Sequence, residues 1–151
     1  MLQKVEPIDI NKIILLLPHS YPFLLIDRII SMRNDVNGMH VKAIKNVTSS
    51  DSAIPVGSRL HTAFPAVLII EALAQATVLL AKQVLGDTHS DAVYYFAAIN
   101  RARFYHAVYP GDQLELDVSF IRKRGMIVQL AGVATVSGKR VCTAKFMCVR
   151  K

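Results

Sequence analysis

A single carboxylate, Glu71, stands near the middle of the apolar run "SRLHTAFPAVLIIEALAQATVLLA", residues 58–81. Taking an ionised carboxylate out of water is expensive unless a partner compensates it. Such a residue therefore needs either a hydrogen-bonding neighbour or a task. Gln75 follows at i+4, one helical turn later, where an amide can reach the carboxylate. With a substrate in an apolar site, a glutamate can move protons or attack an acyl group. The structural alternative is a helix carboxylate held by Gln75 or by a loop N–H. Burial should raise the pKa of Glu71, which suits an acid. Of the histidines, His19 follows Pro18 in a turn and reads as structural, while His40, His89 and His106 read as surface positions.

The element that must position Glu71 is a long helix. Pro65 suits its first turn, where a missing N–H costs nothing, and Gly86 should stop it just after Leu85. Apolar residues surround this helix on nearly all sides, so it should be buried. Ahead of it, Asp9 can cap a short helix "INKIILLL" that Pro18 ends. "PFLLIDRIISM" and "HVKAIKNV" read as strands joined by the turn "NDVNG". "TSSDSAIPVGSRLHTA" carries Pro and Gly without periodicity and reads as a loop. Everything after the helix looks extended: "AVYYFAAI", "ARFYHAV", "DQLELDVSFIRKR", "MIVQLAGVATVSG" and "KRVCTAKFMCVR". The class is α+β, an antiparallel sheet wrapped round one long central helix. One sheet cannot cover every side of such a helix, so at least a dimer is expected.

A chain of 151 residues supports one domain with a real core, taken as residues 1–151. Half of it is apolar and there is no low-complexity tract, which excludes a disordered chain. Cys142 and Cys148 lie six apart, on one face of a strand but far from each other, so free thiols in a reducing cytosol are expected. Ile13 to Leu17 is too short for a signal-peptide core, and Glu71, Gln75 and Thr77 interrupt the one run near membrane-spanning length. A cytoplasmic protein is the expectation. The formal net charge is +7. Residues 1–100 balance 8 Lys+Arg against 8 Asp+Glu, whereas residues 101–151 hold 10 against 3. A basic face of this kind can attract nucleic acid, anionic lipid or an acidic protein. Neither an RNA-binding aromatic signature nor a helix-turn-helix favours nucleic acid, and the absence of metal or nucleotide motifs leads to the expectation of no cofactor.

"LPHSYPFLLIDRI" (17–29), "PAVLIIEALAQA" (65–76) and "INRARFYHAVYPGDQLELDV" (99–118) resemble the FabZ-type (3R)-hydroxyacyl-acyl-carrier-protein dehydratases of bacterial fatty acid synthesis. Three motifs occur in order along nearly the whole chain. The resemblance implies the hot-dog fold, a dimer that can assemble into a trimer of dimers, and elimination of water to give a trans-2-enoyl thioester on acyl carrier protein. It places Glu71 on the family's catalytic glutamate and Gln75 on its neighbouring glutamine. In that family a histidine from one subunit removes the α-proton, and the glutamate of the other delivers a proton to the departing hydroxyl. Gln75, Phe64, Ala66, Tyr95 and Phe96 are the candidate substrate contacts; for Tyr95 and Phe96 the alternative is a core role in a strand pair. The resemblance implies carrier-protein docking at Arg101, Arg103, Arg122, Lys123 and Arg124.

The family's Gly-His-Phe-Pro motif is altered here. Gapless alignment puts Gly57 at the histidine position, Ser58 and Arg59 at Phe-Pro, and Ala66 at the helix-opening glycine. His61, four residues downstream, is the candidate replacement base. Four readings follow: a dehydratase that uses His61; a subunit completed by a paralogue in a heterodimer; a hot-dog thioesterase using Glu71 with Thr77; and a non-catalytic acyl- or carrier-binding module.

Overall fold

The computed structural model of the protein describes residues 3–5 (as backbone), 7–36, 38–51, 62–87 and 92–151. The first helix, α1 (Ile10–Leu16), begins where Asp9 accepts a hydrogen bond from the Lys12 N–H at 3.2 Å and ends before Pro18. The long helix α2 (Ala66–Leu85) starts directly after Pro65. It stops at Gly86, whose left-handed backbone (φ 69°) turns its N–H back onto Gln83 and Lys82. That conformation favours glycine because it has no Cβ to clash.

Strands β1 (Gln3–Val5), β2 (Arg28–Asp35), β3 (Gly38–Asn46), β4 (Tyr94–Phe104), β5 (Gln113–Arg124), β6 (Ile127–Val136) and β7 (Lys139–Arg150) form one sheet. Its spatial order is β1-β2-β3-β5-β6-β7-β4, antiparallel throughout. The order leaves β4 at one edge. Every strand from β3 to β7 touches α2, so the sheet curves around the helix as a hot-dog fold. Period-two burial makes this possible: Leu114, Leu116 and Val118 on β5 and Val128, Leu130 and Ala134 on β6 turn toward α2 while their neighbours turn away. Each fully buried leucine contributes about 1.5–3 kcal/mol relative to exposure. The packing is tight at Gly132, where a Cβ would meet Leu73 of α2 and Phe146 of β7 at 3.1 Å.

Two expectations are corrected. "PFLLIDRIISM" is extended only from Arg28, because residues 17–27 form an irregular segment held by α2. "AVYYFAAI" and "ARFYHAV" are one strand, β4, with register shifts at Phe96/Ala98 and Asn100/Arg103. β1 lacked any pattern strong enough to read. The two cysteines are free and buried on the core face of β7, as their even spacing predicted. The length and hydropathy of α2 would suffice to cross a membrane, yet two thirds of it is packed inside the protein.

The described residues on either side of positions 52–61 are tied to the sheet. Buried Lys45 bonds Asp51 at 2.8 Å, and Asp51 caps the Thr48 N–H at 2.8 Å. On the far side, the Phe64 N–H donates to Val108 at 2.7 Å.

Candidate active site

Glu71 lies in the first half of α2, on the helix face turned to the 17–27 segment. Gln75 is almost completely buried and makes three bonds. Its amide nitrogen donates to Glu71 Oε1 at 2.9 Å and to the Phe23 carbonyl at 2.7 Å. Its amide oxygen accepts from the Leu25 N–H at 2.9 Å. One side chain therefore fixes the carboxylate and splices residues 23–25 to the helix. The same segment, with its cis Tyr21–Pro22 peptide, delivers His19. His19 Nε2 stands 3.2 Å from Glu71 Oε1, with the side chains 29% and 39% exposed.

Burial would raise the Glu71 carboxyl, but hydrogen bonds from His19 and Gln75 and the charge of His19 outweigh it and hold the pKa below the ordinary value. The sequence-based expectation of a raised pKa is corrected accordingly: the glutamate is only half-buried and has two donors. A carboxylate in this setting favours its ionised form and gives a proton only after being loaded. The imidazole beside it can do the loading, because a contact to a carboxylate requires Nε2 to carry hydrogen. Nδ1 of His19 is buried and has no hydrogen-bond partner among the described residues. His19 is thus more than a turn residue. Sequence reasoning missed its role because 52 residues separate it from Glu71; the available signal was the unmatched carboxylate itself.

Glu71 and His19 line a cavity of about 310 Å³ whose walls also include Leu16, Val78, Tyr94 and Phe96. Phe96 packs edge-on against Phe146. Of the residues expected to contact substrate, Phe96 lines this cavity, whereas Gln75 is buried and is linked to it through its bond to Glu71. Tyr95 points to the opposite side of β4 and is half exposed, because strand neighbours alternate. Phe64 is buried in the core beneath the Lys45 ammonium, 5.8 Å from its ring centroid. Ala66, the first residue of α2, is exposed. Thr77 is fully buried and lies roughly 240° around the helix from Glu71, so it does not share the carboxylate's face. His61 lies outside the described residues, as do Gly57, Ser58, Arg59 and His89.

The basic candidates separate into two groups on the sheet. Arg122, Lys123 and Arg124 border a shallow depression with Gln129 and Met147, where the Arg122 Nε donates to Gln129 at 2.8 Å. Arg101 and Arg103 border another, with Tyr105 and Lys145. Both depressions lie away from the helix that carries Glu71.

Residues 17–145 match the FabA-like domain family. The chain is 42% identical over 151 residues to the 3-hydroxyacyl-[acyl-carrier-protein] dehydratase FabZ of Tolumonas auensis, covering 100% of both. It is 46% identical over 144 residues to the enzyme of the same name from Actinobacillus pleuropneumoniae, covering 95% of this chain and 92% of the relative. Among solved structures, the dehydratase heterocomplex ApeI:P from Xenorhabdus doucetiae superposes with a TM-score of 0.71 at 18% identity, over 92% of this chain and 90% of that one. A hot-dog-like protein from Thermanaerovibrio acidaminovorans superposes with a TM-score of 0.59 at 20% identity, over 77% and 83%. At these identities the two structures establish the fold.

Proposed function

The chain belongs to the FabA-like family and, within it, to the FabZ-type 3-hydroxyacyl-acyl-carrier-protein dehydratases, and from that premise we propose how its site performs the elimination. The observation that carries the proposal is the Glu71 carboxylate, fixed by Gln75 and paired with His19 in the wall of a largely apolar cavity. Dehydration removes a proton from C2 and hydroxide from C3, so one group must take a proton and another must give one. Glu71 and His19 act as the giving pair. As the C–O bond breaks, a proton passes from the pair to the departing oxygen, and water leaves. His61, which precedes α2 in the sequence, is the proposed acceptor of the C2 proton. The exchange is redox-neutral, since the base ends with the proton that the pair has lost, and transfer back between them closes the cycle.

The substrate is an acyl chain on the phosphopantetheine arm of acyl carrier protein. Arg101, Arg103, Arg122, Lys123 and Arg124 are the proposed docking contacts for its acidic surface. The free edge of β4, with Tyr95 and Ile99 exposed, supports pairing with a second copy as a dimer, and the cytoplasm is the proposed compartment.

A second reading is favoured by the altered motif at Gly57 and by the heteromeric nature of the ApeI:P neighbour. In it a paralogous partner supplies the C2 base to this chain's Glu71. Following enoyl-thioester absorbance with crotonyl-acyl carrier protein separates the two. Hydration by the purified chain, lost in Glu71→Gln and His61→Ala, supports the self-sufficient enzyme. Hydration that appears only after a dehydratase paralogue is added supports the heteromer. Release of free thiol instead of hydration would overturn both in favour of a thioesterase.

A further inference from the structure

Gln75 fixes α2 to residues 23–25 from one side. The approach to α2 from the other side is held by a second buried polar side chain. Lys45, the next-to-last residue of β3, is 6% exposed. Its ammonium donates to Asp51 Oδ1 at 2.8 Å and to the Asn46 carbonyl at 3.1 Å, and it lies 5.8 Å from the centroid of the Phe64 ring. Asp51 takes the Thr48 N–H on its other oxygen. Phe64 is buried in turn, and its N–H donates to the Val108 carbonyl at 2.7 Å. The 108–112 segment closes the ring: Val47 donates to the Asp112 carbonyl at 2.9 Å and accepts from the Gly111 N–H at 2.8 Å.

These contacts join the end of β3, residues 48–51 and the residues that lead into α2. Phe64 is followed by Pro65 and by Ala66, the first residue of α2, and it stands three positions after His61. Stability alone does not call for an ion pair here. Taking two charges out of water costs much of what their attraction returns, and apolar residues of similar volume are often as stable or more so. What the charges add is direction. The ammonium must meet a carboxylate, a carbonyl and a ring face at once, whereas apolar contacts are non-directional.

We infer that Lys45 is a positioning residue for the C2 side of the elimination: by fixing Phe64 against β3 it sets how the chain arrives at α2, and through the chain it bears on His61 and Ala66. The inference rests on the dehydratase reading of the site and deepens it. Glu71 and His19, on the C3 side, have a separate anchor in Gln75, so each half of the reaction is open to disturbance without the other.

The test uses the double variant Lys45→Met/Asp51→Leu, which removes both charges and leaves neither buried alone. The Thr48 N–H that Asp51 releases is exposed to water. Two readouts are compared with wild type: amide hydrogen exchange, and dehydration of 3-hydroxybutyryl-acyl carrier protein with and without deuterium at C2. In the folded variant the Phe64 N–H should exchange about tenfold faster, while the Leu25 N–H, held by Gln75, keeps its protection. Misplacing a reacting group lowers turnover steeply, so kcat should fall roughly 10- to 100-fold with KM little changed. The C2 isotope effect should rise, because C–H cleavage becomes the slower step. A merely structural role would lower the active fraction and leave the isotope effect as it was; that result overturns the inference, and so does wild-type exchange at Phe64. Where turnover needs an added dehydratase paralogue, the same comparison is made on the pair, and a variant that matches wild type there overturns the inference. Turnover by neither preparation of wild type is the different result that overturns the dehydratase reading, and the inference with it.

Discussion

Replacing Gln75 by leucine keeps the volume of the side chain and removes every hydrogen bond it makes. The Leu25 N–H, buried, and the Phe23 carbonyl, partly buried, would both lose their partner. An unsatisfied buried backbone group costs about 1–3 kcal/mol. With Leu25 counted fully and Phe23 in part, the loss should be about 3 kcal/mol. For a domain of this size each kcal/mol moves the melting temperature by about 2–4 °C, so a drop of roughly 6–12 °C is expected by calorimetry, with a matching fall in the urea midpoint. A second consequence follows from the same substitution. Glu71 loses one of the two donors that oppose its burial, so its pKa rises and the acidic limb of the pH–rate profile moves upward. A stability loss under about 1 kcal/mol would refute the reasoning, because it would mean that residues 23–25 are held to α2 by something other than Gln75.

Other outcomes follow from the same geometry. Glu71→Gln should lower enoyl-thioester hydration by about 10²–10⁴-fold, and His19→Asn should lower it less while shifting the pH profile, both read by absorbance. Glu71 has a depressed pKa in the folded state, so its contribution to stability is present above the unfolded carboxylate pKa and is lost as pH falls through the folded one. Melting curves between neutral pH and pH 3 should therefore fall less steeply for Glu71→Gln than for wild type. Gly132→Ala should cost about 1–3 kcal/mol by overpacking against Leu73 and Phe146, measured by denaturant unfolding. Charge reversal at Arg122 and Arg124 should weaken carrier-protein binding and flatten its salt dependence, measured by titration at two ionic strengths.

Local rules carried much of the architecture into view before any coordinates. Asp9 before an apolar run, Pro65 and Gly86 around another, and strict alternation in β5 to β7 each state a backbone preference that neighbouring residues enforce. The helix bounds and the last three strands accordingly stand where the pattern put them. The failures share a different cause. Residues 22–27 look like a strand by composition, yet their backbone groups are claimed by Gln75 from a helix fifty residues later. β4 was read as two strands because its bulges interrupt the alternation.

The sequence by itself determined the hot-dog fold class, the family motifs and the isolated carboxylate that needed explaining. Tertiary structure decided what surrounds that carboxylate. His19 reaches it across 52 residues, and donors from two elements reverse the shift that burial alone would impose. Likewise only the packing of β4 over α2 makes one cavity of Glu71, Phe96 and Lys82. Periodicity reports which face a residue occupies, whereas the pKa of a carboxylate and the chemistry of a cavity depend on distances between chain segments that no local pattern encodes.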